Sequence, residues 1–197
     1  MFETELEMDK EGMTVPYPAL HDDIRKNNGF VDVRGRPDLA SKIVEGSQSA
    51  AMKTLLIKLA EPGSQLFTVG CDLGSKFQEE DRDYPHTAGG YIQIMNSAYA
   101  MRTPEDYARF AQAVAEMLRA NCVDDHYWQV RFLLKPVQFK LDKFTDMTGS
   151  LWIWFHAYSN SVASAIASRE ALINALDQSL TDERHLLLFD SAICGDS

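Results

Sequence analysis

The segment Gly149–Asn160, Gly-Ser-Leu-Trp-Ile-Trp-Phe-His-Ala-Tyr-Ser-Asn, is the most strand-favouring stretch of the chain and is rich in large side chains at both parities. Side chains alternate sides along a strand. Leu151, Ile153, Phe155 and Ala157 therefore share one face, and Trp152, Trp154, His156 and Tyr158 share the other. The first set is plain hydrocarbon and belongs in a core. The second carries amphipathic rings with polar tips, which suits a second core layer, a ligand platform or a protein interface. A strand of this kind belongs inside a sheet, covered on at least one side.

The remaining segments supply that sheet and its cover. Acids occupy positions 3, 5, 7, 9 and 11, while Phe2, Leu6 and Met8 take the opposite parity. Two descriptions fit residues 1–15: an edge strand whose outward acids resist edge-to-edge pairing, or a flexible acidic tail. Ala19–Lys26 reads as one or two helical turns stopped by Asn27-Asn28-Gly29, and a short helix is expected from Pro37 to about Gly46. Ser49–Ala60 fits both periods: Met52, Leu55, Leu56 and Leu59 line a helix face, whereas Leu55, Ile57 and Leu59 alternate as in a strand. Glu61-Pro62-Gly63-Ser64 places Pro and Gly at the centre of a type II turn before the strand Gln65–Asp72, so a hairpin is expected here.

Gly74–Gly90 reads as a long acidic loop, followed by a strand over Tyr91–Ser97. Thr103, Pro104 and Asp106 announce a helix to about Asn121 with a stripe of Tyr107, Phe110, Val114, Met117 and Leu118. His126–Leu134 alternates as a strand that Pro136 ends or marks as an edge. After Gly149–Asn160, Ser159–Ser161 caps a helix with Val162, Ile166, Ile173, Leu176 and Leu180 on its stripe, and His185–Phe189 forms a last short strand. The fold class expected is α+β: a mainly antiparallel sheet of about five strands with two long helices packed on one face. With 197 residues and no Pro-rich or low-complexity linker, residues 1–197 are read as one domain.

In such a sheet, Phe67, Val69, Ile92, Ile94, Trp128, Val130, Phe132, Leu151, Ile153 and Phe155 form the helix-covered face. Thr68, Tyr91, Gln93, Tyr127, Gln129, Arg131, Trp152, Trp154, His156 and Tyr158 form the other, provided that no bulge reverses a strand. Ordinary packing beneath the N-terminal segment and the Leu39–Val44 helix is the commonest fate of such aromatic stripes. Tyr, Trp and Arg are also the usual anchors of protein interfaces. The candidate ligand- or partner-binding residues are Trp152, Trp154, His156, Tyr158, Tyr91, Tyr127 and Arg131.

The formal net charge is −10. Nucleic acids and anionic membranes are held largely by Lys and Arg, so neither is an expected partner. Glu79, Glu80, Asp81 and Asp83 crowd one loop; they miss the calcium-loop spacing and read as a solvated strip that could dock a basic partner. Dinucleotide-binding and phosphate-binding glycine loops, the Gly-x-Ser-x-Gly elbow and the His-Glu-x-x-His motif are all absent. Cys71, His86, Cys122 and His126 have zinc-ligand chemistry but no supporting Cys-x-x-Cys, so no metal or cofactor is expected. Asp72 and the acids after it oppose a Cys71 thiolate nucleophile. Three scattered cysteines, an acidic start and no apolar run of about 18 residues point to a cytoplasmic protein. The function expected is a non-enzymatic acidic protein-binding module of inhibitor, immunity or adaptor type, whose partner is basic or a second copy. The alternative is a small-molecule binder or enzyme working on the aromatic, His156 and Arg131 face.

Overall fold

The computed structural model describes residues 1–21, 26–77, 84–97, 104–122, 127–141 and 147–182. The acidic strip Glu79, Glu80, Asp81 and Asp83, the Thr103 cap, His126, Cys194 and the His185–Phe189 strand all lie outside the described residues.

The chain forms an α+β fold around a six-stranded sheet. Its elements in order are β1 (Phe2–Met8), β2 (Met13–Val15), β3 (Leu20–His21), β4 (Lys26–Asn27), α1 (Pro37–Ala40), α2 (Val44–Gln48), α3 (Ala50–Leu59), β5 (Leu66–Phe77), β6 (His86–Asn96), α4 (Pro104–Asn121), β7 (Tyr127–Phe139), β8 (Met147–Ser159) and α5 (Val162–Thr181). The strands lie in the order β1-β7-β8-β6-β5, and β2 continues along β7 where β1 leaves it. β5 to β8 pair antiparallel, whereas β1 and β2 run parallel to β7. The sheet is therefore mixed rather than antiparallel throughout. Phe2 meets Trp128 only after the chain has built most of the sheet and two of its covering helices, and such a long connection permits a parallel pair. The residues at the amino terminus adopt the edge-strand form of the two descriptions above.

Four further expectations are corrected. Ser49–Ala60 is a helix cap followed by α3, not the first arm of a hairpin: the Ser49 hydroxyl accepts the Met52 N–H, and Met52, Leu55, Leu56 and Leu59 are all buried. The turn after it does form, with Gly63 at φ 86° and Ser64 N–H bonded to Glu61 O, but it joins helix to strand. Of the helical turns expected over Ala19–Lys26, residues 22–25 lie outside the described residues, and the flanking Leu20–His21 and Lys26–Asn27 pair as the small β3–β4 ladder instead. The Gly74–Gly90 loop is shorter than expected, because the β5–β6 ladder runs out to Phe77 and His86. Pro136 does not end β7. It falls between the last β1 partner, Leu134, and the first β2 partner, Val137, where the neighbouring strand asks for no donor.

α4 and α5 are the two long helices, and the shorter α3 joins them on the same side of the sheet, where one continuous core forms. Leu151, Ile153, Phe155 and Ala157 are wholly buried there. Each large side chain so buried contributes about 1.5–3 kcal/mol. The α5 stripe begins later than expected: Val162 and Ile166 are exposed, and Ala165, Ser168, Leu172, Ile173, Leu176 and Leu180 face inward.

The two hairpins, each followed by a helix, are related. From Gly70 to Phe77, a single numerical shift carries the β5–β6 register onto that of β7–β8: Cys71↔Ile92 falls on Phe132↔Ile153, and Gly74↔Gly89 falls on Lys135↔Ser150. The same shift carries Ile92 onto Ile153, which are paired directly across β6 and β8. A local two-fold relation thus runs through that isoleucine pair, in the middle of the sheet.

Candidate functional site

The face opposite the helices has two halves. A register shift between Thr68 and Gly70 inserts a bulge at Val69. The bulge overturns the expected sidedness of β5. Phe67 pairs with Met95 and, with Val69, joins the far face, whereas Thr68 pairs with Ile94 and is buried on the helix side. Phe67, Val69, Met95, Val137 and Phe139 then make a second small core beneath Met13, Val15, Tyr17 and Phe30. The Arg34 guanidinium, held by Asp32, lies 5.1 Å from the Phe67 centroid and 4.9 Å from that of Phe139. The N-terminal segment therefore roofs this half, as ordinary packing predicts; Leu39 and Ile43 instead pack against the helix-side core. Buried Gln93 marks the boundary, its amide donating to Ser150 Oγ at 2.8 Å.

The other half holds all seven candidate residues. Trp154 on β8 sits between Tyr91 on β6 and Arg131 on β7; Tyr158 sits opposite Tyr127. Trp152, Trp154, His156, Tyr158, Tyr91 and Tyr127 are half-buried and Arg131 is exposed. The rings form a tiled surface. Tyr91 stacks on Trp152, Trp152 on Trp154 at 5.8 Å, and Tyr127 on Tyr158 at 4.7 Å, with Tyr84 against Tyr127. The Tyr158 hydroxyl donates to Gln129 Oε1 at 2.9 Å, fixing the ring's polar tip.

Glycine makes room for this surface. A Cβ on Gly89 would stand 2.5 Å from His156 Cδ2 and 2.5 Å from Phe155 O. The imidazole therefore lies over bare backbone at Gly89, while a Cβ on Gly90 would stand 2.1 Å from Asp72 O, so each glycine of the pair has its own reason.

Charge borders one side. Through the parallel pairing, Glu3, Glu5 and Glu7 stand level with Gln129, Arg131 and Leu133 and share their face. Glu7 pairs with Arg131, and Asp9 pairs with Lys135 at 2.7 Å. The Lys135 ammonium holds the Asp9 carboxyl below its usual range, with the Glu11 N–H adding to it. Lys135 also lies 5.6 Å from the Trp152 ring centroid. Glu3 and Glu5 remain exposed. The acid alternation was legible in the sequence, but its place beside the aromatic face was not, because the parallel partner is remote in sequence.

The described residues do not assemble the other chemistry. Among them, no three His, Cys, Asp or Glu side chains are placed to hold a metal ion. Cys71 lies on β5 at one margin of the sheet, whereas Cys122 donates to Met1 O beside the opposite margin. Burial first, and then the charges of Glu45 and Asp72, push the Cys71 thiol well above its usual range, so it stays protonated. No helix among the described residues is long and apolar enough to cross a membrane.

Sequence reasoning missed one cavity. A pocket of about 340 Å³ opens at the outer margin of β5, lined by Tyr17, Leu39, Ile43, Glu45, Val69 and Tyr91 among others. Its walls come from four separate segments and a bulge, which no local pattern announces. Tyr91 is common to this pocket and to the aromatic face. No known protein family, curated protein or solved structure matches this chain.

Proposed function

We propose that this chain is a non-enzymatic protein-binding module that docks a partner on the open half of its sheet. The observation that carries this is the tiled surface of Tyr91, Trp152, Trp154, His156, Tyr158 and Tyr127, bordered by exposed Glu3 and Glu5. Rigid aromatic anchors with an acidic rim fit a partner that presents an apolar centre ringed by Lys or Arg. An inhibitor or adaptor that masks a basic surface works in this way. Cys71 and Cys122 carry thiols rather than a disulfide, which supports a reducing, cytoplasmic setting. A small-molecule site or enzyme on the same face has less support, since small ligands are taken in concave sites and the enclosed volume lies past Tyr91, with no lining from Trp152, Trp154 or His156.

The test is affinity capture with the wild-type chain and with Trp154→Ala, both verified as folded by circular dichroism. A partner held by the wild type and lost by Trp154→Ala is expected. Glu3→Gln with Glu5→Gln should slow its association and flatten the salt dependence. A partner retained equally by all three proteins would remove the aromatic face from the interface.

A further inference from the structure

The pocket beside β5 carries an inference that does not rest on the docking reading, although the two sites share Tyr91. Its volume of about 340 Å³ falls in the range that holds small organic ligands. Two carboxylates line it, Glu45 at the start of α2 and Asp72 on β5. Glu45 is half-buried, and Cys71 lines the pocket beside it. Lys42 also lines the pocket but is exposed, so the carboxylates outnumber the cation. Val69 and the Tyr91 ring supply apolar wall. β5 is the last strand on its side of the sheet, so one edge of its backbone faces the pocket rather than another strand of the described residues.

We propose that this pocket binds a small organic cation, a primary amine or amidinium on an apolar body, with its charge on Glu45 and its body against Val69 and Tyr91. An anion would meet two carboxylates, and a neutral ligand would leave the half-buried Glu45 charge without a counter-ion. A cation near the Tyr91 face also gains from the ring quadrupole. Because Tyr91 stacks on Trp152, occupancy alters the surroundings of that indole and its emission reports binding.

The experiment titrates the full chain with benzamidine and tyramine as cationic probes, benzyl alcohol as the neutral control and benzoate as the anionic one. Calorimetry and tryptophan emission read the outcome. Saturable binding of at least one cation, with both controls weaker, is expected. Glu45→Gln, which preserves volume, should weaken the cation about tenfold or more, as fits the loss of a charge-assisted contact. If Glu45→Gln does not fold, Asp72→Asn at an exposed position should still weaken the cation several-fold. Equal binding of benzoate or benzyl alcohol, unchanged affinity in the folded variants, or no saturation by either cation at millimolar concentration would overturn the proposal. None of these results bears on partner capture by Trp154.

Discussion

The Tyr91 and Trp152 rings stack with centroids 4.9 Å apart and planes 14° apart, although they belong to different hairpins. The shift that superposes one hairpin register on the other carries Tyr91 onto Trp152. The two rings are thus counterparts that meet across the local two-fold relation, beside the Ile92↔Ile153 pair. Stacked aromatic pairs are worth about 0.5–1.5 kcal/mol beyond their buried area. A double-mutant cycle of Tyr91→Ala and Trp152→Ala, read by urea denaturation, should return a coupling of that size. Simple additivity would mean that each ring packs only on the strand beneath it.

Gly89 and Gly74 are cross-strand partners with opposite tolerance for a side chain. A Cβ at Gly89 meets His156 and the Phe155 carbonyl, whereas one at Gly74 meets nothing within 4 Å. Gly89→Ala should cost about 1–3 kcal/mol and lower Tm by several degrees, and Gly74→Ala should be close to neutral. Thermal melts of the two variants compare them directly.

Ser49 ties α3 to α5. Its hydroxyl accepts the Met52 N–H at 2.9 Å and donates to Glu170 Oε2 at 2.8 Å, and the Ala51 N–H reaches the same carboxylate. Ser49→Ala should cost about 1–2 kcal/mol in chemical denaturation. Ser49→Asp caps well in an isolated helix but sets a second carboxylate against Glu170, so it should lose at least as much. Rescue by Asp would show that the Glu170 contact contributes nothing.

Alkaline pH should unfold the chain through its buried phenols. Burial first, and then the nearby Glu45 carboxylate, push the Tyr17 hydroxyl up to about 12 from an ordinary value of 10.0. Below pH 10 the phenol is neutral in both states and its contribution is intact. As pH rises from 10 towards 12 the unfolded chain loses the proton first, so stability falls. Tyr17→Phe should flatten this limb of the Tm–pH curve. It should also cost some stability at neutral pH, because Tyr17 donates to Val69 O at 2.8 Å. An unchanged alkaline limb would assign it to the other buried tyrosines.

What the sequence disclosed and what it withheld follow from the range of each interaction. The alternation in β8 and the stripe of α4 are local, and both stand as read: Leu151 to Ala157 are buried at one parity, and Tyr107, Phe110, Val114 and Leu118 line one side of a helix. Met52 to Leu59 satisfies both periods, and the choice is made by Ser49 and by Glu170 more than one hundred positions away. The Val69 bulge has no local signature, and it alone moves Phe67 to the other face. The seven aromatic-face residues were legible as parity within β6, β7 and β8. That the N-terminal segment would roof one half of that face and spare the other depended on contacts such as Val15 with Phe139, which no window of sequence contains.

The parallel strand β1 also bears on how the chain is made. During synthesis Phe2–Met8 leaves the ribosome long before its partner, Trp128–Leu134, has been translated. For that interval it is an unpaired strand, with Phe2, Leu6 and Met8 on one side. The glutamates at alternate positions make neighbouring nascent chains repel one another at that edge. The alternating glutamates of β1 would in this way help to keep that strand soluble until the β7–β8 hairpin arrives to receive it.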